Sequence, residues 1–266
     1  MRGRGPLITA LGSSFASGPG LAPLEDPAAQ RSSVNYAHVL AELLGARLID
    51  LTVAGATTST ILDEPQVTAL GDEFAPQIQG VPADADIVTV TAGGNDLEFI
   101  GSLKWAALQQ ADPRGAEKAV AEVMLDAGPA RVVEPTPESV DAAAAGLARI
   151  VTEIHDRAPG ARILLVDYLT LLPPDPSLAS DLFPPEHLPG LMRIQEAVGE
   201  AFGRAADQSG AELIRASTLS RDHALGSPDP WVTGLDLHPS RWVGSFHPTA
   251  AGMRAVGEQI AEHLAR

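Results

Sequence analysis

Leu7-Ile-Thr-Ala-Leu11 runs straight into Gly12-Ser-Ser-Phe-Ala-Ser-Gly-Pro-Gly20. The apolar run has the length of a buried strand, and glycine stops it at once. A serine held in a glycine-bounded turn after such a strand lies at the carboxyl edge of a parallel sheet. Ligands bind at that edge in open α/β folds. The turn offers backbone N–H groups, and a helix starting there adds its positive end. Ser14 is therefore a candidate nucleophile. Glycine- and serine-rich turns without chemistry are common, so the remainder of the chain decides the matter.

The same punctuation recurs downstream. Asn35–Leu44 carries Tyr36, Val39, Leu40, Leu43 and Leu44 at helical spacing, and Gly45 ends it. Leu48–Val53 reads as a second strand and is followed by Ala54-Gly55-Ala56. Asp86–Thr91 reads as a third, followed by Ala92-Gly-Gly-Asn-Asp96. Three strand ends thus deliver Ser14, Gly55 and Asn95 to one sheet edge. Residues 97–135 are less regular, with an Ala/Glu-rich helical stretch around Ala116–Leu125. Thr136-Pro137 starts a helix whose stripe is Val140, Leu147, Ile150, Val151 and Ile154. Arg162–Asp167 is a fourth strand and Ala211–Ile214 a short fifth, separated by a helix through Leu191, Ile194, Val198, Phe202 and Ala205. A long loop, Asp222–Phe246, holds Trp231 and Trp242 and precedes a last amphipathic helix. Strands alternating with helices predict a doubly wound parallel sheet in a single domain over residues 1–266.

Composition narrows the function. The chain has 266 residues, 45% of them hydrophobic, and a formal net charge of -16. Such a chain is repelled by phosphate backbones, and no basic cluster offsets this, so no nucleic-acid partner is expected. No apolar run reaches membrane-spanning length. The absence of cysteine excludes disulfides, thiolate catalysis and cysteine–zinc sites. No His-Glu-x-x-His motif occurs, and neither a metal nor a cofactor is expected. Arg2 and Arg4 precede an apolar run too short for a signal peptide. A cytoplasmic location is expected, and secretion stays open for a trimmed chain.

Acyl transfer through serine needs a base and donors for the oxyanion. Of seven histidines, His38, His155 and His263 fit structural or surface positions, and His187 and His223 sit in loops without a supporting pattern, leaving His238 and His247, each before a proline. Helical periodicity starts directly after His247 and not after His238, which favours His247.

Gly12-Ser-Ser-Phe-Ala-Ser-Gly18, Gly55, Gly93-Gly-Asn-Asp96 and Ser245-Phe-His-Pro-Thr-Ala-Ala-Gly252 resemble, in order, the four blocks of the SGNH hydrolases, also called GDSL esterases/lipases. The resemblance spans nearly the whole chain. It implies a flavodoxin-like three-layer α/β/α sandwich with a five-stranded parallel sheet. It also implies hydrolysis of a small-molecule carboxylic ester, without cofactor, by Ser14 as nucleophile and His247 as base. The Ser14 and Gly55 N–H groups and the Asn95 amide form the implied oxyanion hole. Carbohydrate deacetylation and acyl transfer are alternatives within the family, and a non-catalytic binding module is one outside it. A nucleotide-binding module fits less well, because no phosphate-loop lysine or dinucleotide fingerprint appears. Two positions depart from the family pattern. Ser13 stands where aspartate usually precedes the nucleophile, and Gly244 where aspartate usually orients the histidine. The expectation is a Ser14–His247 dyad oriented by a main-chain carbonyl, that of Gly244, with Asp222, Asp229 and Asp236 as the aspartates able to complete a triad instead.

Overall fold

The computed structural model describes residues 5–68, 71–112 and 131–266. Its centre is a five-stranded, all-parallel sheet of β1 (Leu7–Gly12), β2 (Arg47–Asp50), β3 (Ile87–Thr91), β4 (Arg162–Val166) and β5 (Glu212–Ile214), in the order β2-β1-β3-β4-β5. β1 and β3 are buried along their whole length, Thr9, Thr89 and Thr91 included, so apolar residues stand on both faces of the sheet. β2 is shorter than the sequence suggests, yet its neighbourhood stays paired: the N–H groups of Leu51 and Val53 donate to Ala10 O and Gly12 O.

Helices cover both faces. Among the described residues these are α1 (Ser14–Ser17), α2 (Tyr36–Leu44), α3 (Thr58–Leu62), α4 (Phe99–Ala111), α5 (Pro137–Arg157), α6 (Leu188–Ser209), α7 (Ala216–Leu219) and α8 (Ala250–Leu264). α2 packs against α8, and α5 against α6. Their caps explain their limits. Asn35 accepts from the N–H groups of Ala37 and His38, and Thr136 and Ser139 form a reciprocal capping box ahead of Pro137. The α5 stripe of Val140, Leu147, Ile150, Val151 and Ile154 is buried as predicted.

α4 is the element that pattern reading misses. Phe99, Ile100, Leu103, Ala106, Ala107 and Leu108 are buried around much of its circumference, so no single stripe stands out. It also lacks a start signal, because Glu98 occupies the cap position in left-handed conformation and makes no side-chain cap bond. The helical stretch expected around Ala116–Leu125 lies outside the described residues.

The order β2-β1-β3 places a topological switch between β1 and β3, because the chain leaves β1 toward one side of the sheet and later returns on the other. In such sheets a crevice opens beyond the carboxyl ends of the two strands. Ser14 and Asn95 follow those two ends.

Candidate active site

Gly12 closes β1 with φ 151°, and a Cβ there would lie 2.4 Å from Thr91 O. Glycine therefore lets the end of β1 touch the end of β3, and the Ser13 N–H donates to Thr91 O at 2.9 Å. Ser13 Oγ is engaged with Tyr168 Oη at 2.9 Å. Ser14 opens α1, is buried, and its hydroxyl bonds to no group among the described residues. The Ser14 N–H is likewise uncommitted there, as expected for the first turn of a helix. Ser13 thus replaces the usual aspartate with a hydroxyl that braces the turn against Tyr168.

The loop after β2 brings up Gly55. Its φ of 84° is left-handed, which glycine adopts without a steric penalty, and its N–H makes no hydrogen bond among the described residues. The loop is held on both sides of this position. The Ala54 N–H donates to Ala29 O at 2.9 Å, and Gln66 Nε2 donates to Ala54 O at 2.7 Å.

The turn after β3 supplies Asn95. Asn95 Nδ2 donates to Ala56 O at 2.8 Å, which ties this turn to the Gly55 loop and fixes the amide plane. Asp96 braces the same junction: its carboxylate accepts from the Thr58 N–H and hydroxyl at the start of α3. Burial raises the Asp96 pKa against these bonds. The Gly94 N–H donates to Tyr168 Oη at 3.1 Å. Tyr168, just past β4, therefore joins the loops after β1 and β3 through one oxygen. Its burial pushes the phenol up to about 12, so the group stays neutral.

His247 is buried, with its ring centroid 5.7 Å from that of Phe15, the residue next to Ser14. No hydrogen bond joins Ser14 to His247 in this state. His247 Nδ1 lies 2.8 Å from Ser245 O. The carbonyl facing the ring is therefore that of Ser245 and not that of Gly244. Gly244 O is already taken, accepting from the Thr233 hydroxyl and, at 3.3 Å, from the His247 N–H. Phe246, at φ 60° and buried against Phe183, turns the chain so that the nearer carbonyl meets the ring. None of the three candidate aspartates bonds to His247: Asp236 pairs with Arg241 Nε at 2.6 Å, Asp229 stands by His223, and the Asp222 carboxylate forms no hydrogen bond or ion pair among the described residues. His238 is exposed and engages Ser240 at 2.9 Å, away from this arrangement.

Burial, then the positive charge of Lys104, push the His247 pKa down to about 3, against the Ser245 carbonyl, which raises it. A neutral ring with Nδ1–H held by a carbonyl leaves Nε2 as a proton acceptor. Lys104, on α4, has its ammonium 5.1 Å from the centre of the Trp242 ring, and burial lowers its own pKa to about 8. Sequence reading found neither Lys104 nor Tyr168. The signal available was position alone: Tyr168 follows a strand end, and Lys104 is the one cation in an otherwise apolar stretch.

Among the described residues, Glu25, His38 and Asp50 bring potential metal-ligand atoms within 4.8 Å of one another. The cluster is bonded within itself and to its surroundings, with His38 Nε2 3.2 Å from Glu25 and Asp50 accepting from Asn35 at 2.8 Å. The loops around 172–190 and 222–246 contribute Leu172, Phe183 and Leu225 to the core, while Leu178 and Leu237 stand exposed.

Known proteins share the sequence and the fold of this chain. The GDSL-like lipase/acylhydrolase family matches residues 10–255. Lipase 2 of Streptomyces coelicolor is 30% identical over 268 residues, covering 96% of this chain and 84% of the relative. A lipase of Streptomyces rimosus is 26% identical, covering 91% of this chain and 81% of its own. Among solved structures, phospholipase A1 from Streptomyces albidoflavus superposes with a TM-score of 0.71 at 18% identity, covering 98% of this chain and 100% of that one. At that identity the likeness speaks for the fold. With the four motif blocks in order, the doubly wound sheet and a family match across nearly the whole chain, this chain belongs to the GDSL-like lipase/acylhydrolase family.

Proposed function

We propose that this ester hydrolase works through an acyl-enzyme on Ser14, with His247 as general base and the Ser14 N–H, Gly55 N–H and Asn95 amide as the oxyanion hole. The observation that carries the reading is the convergence of strand-end loops. In its support, among the described residues, the Ser14 hydroxyl and the Ser14 and Gly55 N–H groups make no hydrogen bond, the Asn95 amide is held by Ala56 O, each follows a strand end, and the His247 ring lies 5.7 Å from that of Phe15.

The chemistry follows from the groups. Ser14 Oγ attacks the ester carbonyl carbon while its proton passes to His247 Nε2. The carbonyl oxygen becomes an oxyanion and accepts from the three donors, which are neutral and cannot titrate away. The tetrahedral intermediate collapses, the C–O bond to the alcohol breaks, and His247 returns the proton to the leaving oxygen. A water molecule then repeats the sequence on the acyl-enzyme, releasing the carboxylic acid and restoring Ser14. The Ser245 carbonyl holds the ring tautomer and carries partial negative charge toward the transient imidazolium, the part a carboxylate plays in a triad.

The test uses a fluorophosphonate probe and a p-nitrophenyl ester series from acetate to palmitate. The intact protein should be labelled on Ser14 alone, and Ser14→Ala should lose both label and turnover. Substantial ester turnover by purified Ser14→Ala would overturn the assignment.

A further inference from the structure

Lys104 is a charge that the chemistry above does not use. It lies on α4, the helix that leaves the Asn95 turn, and the residue is only 7% exposed. Among the described residues no carboxylate, carbonyl or hydroxyl receives its ammonium. The ammonium instead stands over the face of Trp242, at 5.1 Å from the ring centre. Trp242 begins the short turn Trp242–Gly244 that runs directly into Ser245-Phe-His247. The ammonium thus stands between the helix anchored on the oxyanion side and the loop that carries the base, and its charge is felt by the His247 ring.

A buried lysine is ordinarily paired, because removing an ammonium from water is costly. A cation–π contact offsets part of that cost and leaves the N–H donors without acceptors. The chain carries 34 acidic residues against 18 basic ones, yet none of the described acids comes to this lysine. Its nitrogen is not among the fully enclosed, unpartnered polar atoms of the described residues, so an acceptor that arrives from solvent can reach it.

We propose that Lys104 is a specificity residue that binds an anionic oxygen group, a carboxylate or a phosphate, carried by the ester substrate close to its scissile bond. This rests on the Ser14 hydrolase reading and narrows its substrate class. Near pH 7 the lysine keeps its charge, since burial brings its pKa down only to about 8.

The experiment compares matched esters at pH 7 and low, fixed ionic strength. One pair places the anion on the acyl side: the mono-4-nitrophenyl ester of glutaric acid against 4-nitrophenyl valerate. The other places it on the alcohol side: 1-butyrylglycerol 3-phosphate against 1-butyrylglycerol. At least one anionic member should be preferred in kcat/KM by about tenfold or more, the scale of a hydrogen bond to a charged group. Lys104→Met should bring that ratio to about one by raising KM for the anionic ester, and Lys104→Arg should restore part of it. The ratio is the readout because removing this charge also relieves His247, and that effect is common to both members of a pair. Methionine matches the stem and removes a buried charge, so the variant should fold. A ratio near one in the intact enzyme, or one left unchanged by Lys104→Met, overturns the proposal and leaves the hydrolase reading standing. No turnover of any ester, with no label on Ser14, overturns that reading and this one with it.

Discussion

Ser13 and Ser14 are neighbours of identical chemistry, and their surroundings separate them. Ser13 Oγ is committed to Tyr168, whereas Ser14 Oγ is not held by any group among the described residues. Asn95 shows the complementary logic. One amide hydrogen is spent on Ala56 O, which orients the other without occupying it. In the proposed mechanism that second hydrogen acts on charge present mainly in the transition state. Asn95→Ala should therefore lower kcat by on the order of a hundredfold or more with little change in KM. Steady-state kinetics on a short-chain ester checks this, and a change confined to KM would make Asn95 a substrate-positioning residue instead. The orienting carbonyl illustrates how finely a residue assignment can miss. A glycine at position 244 leaves open which nearby carbonyl faces the imidazole. The left-handed turn at Phe246 and the Thr233 hydroxyl on Gly244 O select Ser245.

At the scale of elements, the site is assembled from strand ends rather than from strands. β1, β3 and β4 each stop at the same edge, and the residues just beyond them hold one another. Tyr168 is the clearest case, since its hydroxyl accepts from the Gly94 N–H and bridges to Ser13 Oγ. Tyr168→Phe keeps the ring packed against Phe15, 4.3 Å away between centroids, but leaves a buried N–H without its acceptor. The expected result is a loss of about 1–3 kcal/mol in stability, read by denaturant unfolding. A fall in kcat larger than any rise in KM should accompany it, because the Asn95 turn loses its brace. Unchanged kcat with lowered stability would confine Tyr168 to folding. α4 makes the opposite point about legibility. A helix buried around much of its surface, with no cap residue at its start, has no periodic signature to read.

At the scale of the whole molecule, buried titratable groups couple the site to folding. His247 has its pKa lowered from the ordinary 6.5 to about 3 by burial. Its contribution to stability is present above pH 6.5, where both states are neutral. It is lost as pH falls toward 3, because the unfolded chain takes the proton first. Asp167, at the end of β4, is raised by burial to about 6 from the ordinary 3.8, so acidification through that window favours the folded state. The histidine shift is the larger of the two. Glu212, lowered to about 2 by its bond from Arg162, adds to the histidine's sign, though its partial exposure to solvent weakens it. The melting temperature should therefore fall between pH 7 and pH 4. His247→Gln should fall less over the same range, as scanning calorimetry at fixed ionic strength would register. An equal fall in the two proteins would show that His247 is not the group being titrated.

Local sequence was enough for the layer architecture, because short, mostly apolar runs followed by glycine turns alternate with capped amphipathic helices, and few folds accommodate that alternation. It was enough to single out Ser14, Gly55, Asn95 and His247 as candidates, since each is, or lies within two residues of, a glycine or proline that marks a strand end or a helix start. What it left open are relations between residues far apart in the chain. The pairing of Tyr168 with Gly94 and Ser13, and the placing of Lys104 against Trp242, depend on segments 74, 155 and 138 positions apart in the chain being brought together. Their side chains carry no local pattern that announces a partner. The choice of Ser245 over Gly244 belongs to the same class: it turns on a backbone torsion and a competing hydroxyl, and both exist only once the sheet has set the two loops side by side.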